Sequence, residues 1–147
     1  MKKLALLALL CLTVPAHAGH VRVVDAWVRA TVPGQSVAGA YMEIRSDADG
    51  RLLRASSPLA PRVELHEMRM DGAVMRMRPV AAVALKGGET VQLKPGGLHL
   101  MLVDLARPIR EGEKIPLTLV VERGGKQENV SVTAVARTGG HAAHHRH

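Results

Sequence analysis

The chain has 147 residues, with 20 Lys plus Arg against 13 Asp plus Glu and a formal net charge of +7 when histidines are neutral. Its basic residues are scattered, and it has no Phe, one Trp and one Tyr, so it lacks the cationic stripe and stacking platforms of a nucleic-acid binder. The sole cysteine, Cys11, excludes a disulfide framework.

Residues 1–18, MKKLALLALLCLTVPAHA, have the parts of a secretory signal peptide. Lys2 and Lys3 form the charged end, Leu4 to Val14 the apolar run, and Ala16-His17-Ala18 an A-x-A-like cleavage site. The run is too short to anchor the chain across a bilayer. Leu10 before Cys11, and the central position of Cys11 in the segment, argue against lipoprotein processing there. The expected product is a soluble protein of a bacterial periplasm that starts near Gly19, with 129 residues, one domain and a net charge of +5. Such a product carries no thiol, which excludes a cysteine nucleophile and a blue-copper centre, whose ligand set includes a Cys thiolate.

From there nearly every segment reads as strand. VRVVDAWVR (21–29) leads through the Pro33-Gly34 turn to AGAYMEIRS (38–46), and RLLRASS (51–57) follows another turn. After VELHEM and GAVMRMRPV come VAAVAL (80–85), TVQLK (90–94), LHLMLVD (98–104), PLTLVVE (116–122) and ENVSVTAVA (128–136). Short strands separated by regular turn signals predict a β-sandwich or barrel. Alternation nominates Leu65, Leu100, Leu102, Leu117 and Leu119 for its core, with Met42 beside them. Trp27 is expected as the largest core residue, with shielding of a metal from solvent as the alternative.

The stretch VELHEMRMDGAVMRMRPV carries Asp71-Gly72 between two alternating runs, which predicts a tight hairpin. A turn centred on that dipeptide places His66 opposite Met77, Met68 opposite Met75 and Met70 opposite Ala73. In GGLHLMLVDL, His99 and Met101 lie two apart and share a strand face. The spacing His-x10-Met-x21-His-x-Met supplies two imidazoles and two thioethers with no thiolate or carboxylate. Thioethers are soft, neutral ligands that favour Cu(I), whereas zinc takes His, Cys and carboxylate and calcium takes oxygen. The competing reading is that methionine merely fills a core poor in aromatics. Met68 and Met75 likewise read as filler or as accessory thioethers that receive or hand on copper.

These residues resemble the periplasmic copper chaperone family written PCuAC, whose signature has the same four-residue spacing. The likeness extends over DAWVRATVPGQSVAGAYMEI, VELHEM, GAVMRMRPV, LKPGGLHLMLVDL and EGEKIPLTLVVE. It departs at Glu67, where the family often has Met after the first His. The resemblance implies a cupredoxin-like Greek-key β-sandwich over residues 19–138, with His66, Met77, His99 and Met101 as the Cu(I) ligands. It also implies delivery of Cu(I) to the copper A site of cytochrome c oxidase subunit II, alongside a Sco-type thiol protein.

The end of the chain, residues 139–147, reads as a flexible His-rich tail. His141, His144, His145 and His147 form a tract of neutral imidazoles suited to Cu(II), and His20, next to a new amino terminus at Gly19, could chelate Cu(II) as well. Storage or resistance to copper would use the same ligands as a chaperone. An enzyme is not expected: there is no Ser-His-Asp arrangement or glycine-rich phosphate loop, and of the acids near His66 only Glu64 shares its face. Stable membrane insertion is not expected either.

Overall fold

A computed structural model describes residues 20–139. Ten strands account for most of them: β1 (Val21–Arg29), β2 (Val37–Ser46), β3 (Gly50–Ser56), β4 (Arg62–Asp71), β5 (Val74–Pro79), β6 (Val83–Leu85), β7 (Thr90–Leu93), β8 (Leu98–Val103), β9 (Lys114–Arg123) and β10 (Lys126–Arg137). The signal segment and the tail histidines lie outside the described residues. The run 80–85, expected as one strand, pairs only over Val83–Leu85.

Hydrogen bonding follows the order β5-β4-β8-β2-β1-β10-β9-β3-β6, with β7 also on β2. The path folds into two layers around one core. The layers meet where β1 runs parallel to β10, Trp27–Arg29 against Val135–Arg137. Ile44 and Leu100 from one layer and Leu52, Leu119 and Val121 from the other are fully buried in that core. All five leucines nominated from alternation are buried, and so is Met42. This is the cupredoxin-like β-sandwich expected from the sequence.

Trp27 is not in the core, and a β-bulge is the reason. Val21 and Val23 of β1 pair with Ser46 and Ile44 and pack against the core, so strict alternation would carry Trp27 inward with them. The register shifts between Val24 and Trp27, with Asp25 held at φ 51°. One extra residue reverses the alternation. Val28 then enters the core opposite Ala40, and Trp27 sits half-buried on the other face opposite Tyr41.

The hairpin also differs from expectation. Asp71 pairs with Val74, so the two-residue loop is Gly72-Ala73 rather than Asp71-Gly72. Gly72 has φ 64° and Ala73 is not in the positive-φ region, which fits the turn that places glycine first and needs a left-handed residue only there. Asp71 stays in the strand and pairs with Arg76 at 3.0 Å. The ladder is therefore displaced by two residues: Met68 faces Met77, Met70 faces Met75, and His66 faces Pro79. A two-residue slip preserves which side chains share a face.

Leu100 lies between His99 and Met101 on β8 and is fully buried on the opposite, core side. Leu100→Ala is expected to lower stability by about 2–5 kcal/mol in chemical denaturation, the range for a buried leucine whose cavity cannot collapse. A loss below about 1 kcal/mol would mean that β8 is not anchored through this residue.

Candidate functional site

On the outer face of the layer formed by β5, β4, β8, β2 and β1, polar and sulfur-bearing side chains meet in rows. β4 and β8 pair so that His66 lies directly opposite His99 and Glu64 opposite Met101. Met101 also faces Gly39 of β2. The imidazole centroids are 5.7 Å apart in an edge-on arrangement at 70°. On the far side of His99 the ring of Tyr41 follows at 6.2 Å, and Trp27 packs against Tyr41 at 4.6 Å. Arg137 lies 6.0 Å from the Trp27 ring centroid and closes that end of the row.

The ring nitrogens are in different states. His99 is only 4% exposed, and its Nδ1 is 3.0 Å from the carbonyl oxygen of Gly97. A carbonyl can only accept, so Nδ1 carries the proton, and in the neutral ring Nε2 keeps its lone pair. His66 has its Nε2 2.8 Å from Oε2 of Glu64, while its Nδ1 is buried without a hydrogen-bond partner. A proton on Nε2 donated to the carboxylate leaves the Nδ1 lone pair available. Buried polar atoms without partners are uncommon and call for an explanation. A hydrogen bond from one imidazole nitrogen to a carbonyl or carboxylate is also how metal-binding histidines are oriented.

Glu64 is itself held by Arg62 at 3.2 Å, and Arg62 reaches Asp104 at 3.2 Å. Residues 62, 64 and 66 alternate along β4 and so line one face. The sequence placed Glu64 on the His66 face but could not show that its carboxylate turns onto the ring. Gly39 was missed as well. A Cβ there would collide with the hydroxyl of Tyr41, so the glycine leaves room for the phenol beside His99 and Met101.

The four residues of the sequence spacing are not equivalent. His66 and His99 are in direct register, and Met101 is one rung away beside Glu64. Met77 was expected opposite His66 but sits diagonally to it, facing Met68; diagonal neighbours are roughly 7–8 Å apart, within reach of long side chains. Their exposure differs as well: His99 is buried while Met77 is 48% exposed. Among the described residues no group of three or more His, Cys, Asp or Glu could hold a metal ion. The two facing histidines would therefore need donors outside that set to complete a site, and the thioethers of this face are the ones at hand. The donor set available is soft and fits copper in its +1 state.

His20, the other described histidine, lies at the opposite end of the layer. Its backbone N–H donates to Asp47 Oδ2 at 3.2 Å, a bond that copper chelation through this amide would have to displace. Met68 is half-buried and Met75 exposed on the face that carries His66 and Met77.

Fold and face together define a PCuAC-type, cupredoxin-like domain. The copper-bound PCuAC domain from PmoF2 matches with TM-score 0.64 and 26% identity, covering 81% of this chain and 93% of that one. Cu(I)-loaded DR1885 from Deinococcus radiodurans matches with TM-score 0.62 and 26% identity, covering 87% of this chain and 82% of that one. The family model described as "Putative lipoprotein LpqE-like" matches residues 21–134, and the chain belongs to this LpqE-like family. Lxx21020 of Leifsonia xyli subsp. xyli, which bears the same lipoprotein description, is 32% identical over 106 residues, 70% of this chain. The chain spans only 63% of the length of that relative.

Gly39→Ala is expected to push the phenol of Tyr41 aside and cost about 1–3 kcal/mol through overpacking. Trp27 is the sole tryptophan and touches Tyr41, so its fluorescence emission should shift in the variant. An unchanged spectrum would mean that Gly39 does not set the position of the phenol.

Proposed function

We propose that this chain is a Cu(I)-carrying metallochaperone of the bacterial periplasm that holds its ion with His66, Met77, His99 and Met101. The observation that carries the reading is the facing imidazole pair, each ring tied at one nitrogen and open at the other, beside Met101. Copper-bound and Cu(I)-loaded relatives of the same fold support it. The family description as lipoprotein agrees with a place in the cell envelope. Cleavage after Ala18 would export the chain without its cysteine, and mass spectrometry of the exported protein tests this by the mass of a product starting at Gly19.

Copper is the cargo, so binding has to be selective and also reversible. Neutral ligands attract Cu(I) without the charge of a thiolate, and thioethers cannot close into a disulfide in an oxidising compartment. The burial gradient gives exchange a direction. Met77 is half exposed and can be replaced first by an acceptor's ligand, while His99 under Tyr41 is released last. No bond in the protein is made or broken, so the function is transfer rather than catalysis. The acceptor we propose is the copper A site of cytochrome c oxidase subunit II, with a Sco-type thiol protein acting alongside. The tail histidines, His141, His144, His145 and His147, with His20, would hold Cu(II).

Mixing the Cu(I)-loaded protein with the soluble copper-binding domain of subunit II should produce the visible absorption of a copper A centre. The variant with both His66→Ala and His99→Ala should not produce it. If copper leaves only for a small chelator and never for the acceptor, the protein is a store rather than a chaperone.

Glu64→Gln keeps the shape of the side chain but removes the charge that polarises His66. It is expected to weaken Cu(I) binding about 10- to 100-fold, the usual effect of losing a partner of a metal-binding histidine. Competition against a Cu(I) chelator measures this. Unchanged affinity would show that Glu64 does not support the ligand.

A further inference from the structure

We infer that the end of the β4–β5 hairpin is a second Cu(I) site built from Met68, Met70 and Met75. Its part in cargo transfer rests on the four-ligand reading above, but its existence as a site does not. Hydrogen-bond parity places these sulfurs together. Met68 N–H bonds Gly97 across β8, and Val80 N–H bonds Leu65 across the hairpin. Even residues of β4 therefore direct their backbone groups to β8, and odd ones direct theirs to β5. It follows that Met68–Met77 and Met70–Met75 are non-hydrogen-bonded pairs, the type in which facing side chains stand closest.

The result is a ladder of four thioethers on one face, running from the rung next to His66 to the turn. Filling a core does not account for it: Met70 is 60% exposed, Met77 48% and Met75 45%, whereas the buried Met42 is 2% exposed. The opposite face of the hairpin is charged, with Arg69 3.8 Å from Glu67, so the sulfur is confined to one side. Met77 is the ladder member counted among the four ligands proposed above. The remaining three, a facing pair and its diagonal neighbour, can converge on one ion. Three neutral, polarisable sulfurs with no imidazole or carboxylate on that part of the face select Cu(I) over Cu(II) or Zn(II). An ion there would lie one rung beyond Met77, the most exposed of the four proposed ligands. It would form a station between solvent or a partner and the inner pair of histidines.

The test is anaerobic titration of the full chain, labelled with 13C at the methionine ε-methyl groups, with Cu(I) supplied as its acetonitrile complex. The first equivalent should move the Met77 and Met101 resonances, and the second should move Met68, Met70 and Met75 together. In Met70→Leu, a change at an exposed position, the Met68 and Met75 shifts at two equivalents should be lost while those of Met77 and Met101 remain. If Met68, Met70 and Met75 stay still through three equivalents while Met77 and Met101 respond, the second site does not exist and the four-ligand site stands. If the three move but Met70→Leu leaves the other two unaffected, they do not share an ion and the inference is overturned. If the ladder responds and Met77 and Met101 do not, the ladder is upheld and the four-ligand reading fails.

Discussion

The pairing of β4 with β8 is the constraint on which this face depends. It sets His66 against His99 and Glu64 against Met101, and it is held from behind by Leu65, Leu100 and Leu102 in the core. Because side chains alternate, a slip of one residue would turn one strand over against the other, carrying its histidine inward and leaving its leucine in water. Core burial and site geometry are thus two consequences of one register, and the hydrophobic energy of the leucines fixes the imidazoles in place.

Around that pair the chain supplies orientation rather than further hard ligands. Gly97 and Glu64 each occupy one nitrogen of a ring, and Arg62, itself paired with Asp104, holds Glu64 in turn. Tyr41, Trp27 and Arg137 cover the β1 side, while the hairpin side is left open, with Met70, Met75 and Met77 exposed. A face closed on one side and sulfur-lined on the other suits an ion that must arrive and depart by one route.

Much of this was legible from residue order. Strand alternation put His66 with Met77 on one face of the hairpin and His99 with Met101 on one face of β8, the family resemblance joined the two pairs, and alternation nominated the five buried leucines. The error in the hairpin did not disturb that grouping, because Gly72-Ala73 in place of Asp71-Gly72 displaced the ladder by an even number of residues. Trp27 was misplaced because the displacement in β1 is odd: a single bulge at Asp25 exchanges inside and outside. Nothing local in VRVVDAWVR announces the bulge, which is resolved only when Val28 meets Ala40 and Trp27 meets Tyr41.

What the sequence alone determined, then, was parity: an all-β chain, the alternation of sides along each unbroken stretch of strand, and the soft donors that share a face within the hairpin and within β8. Parity follows from the two-residue repeat of an extended backbone, which every strand carries by itself. The tertiary structure decided which rung meets which, so that His66 faces His99 rather than Met77, and which nitrogen of each ring is open. Those outcomes depend on turn geometry, a bulge and contacts between strands more than thirty residues apart, and no single segment contains that information.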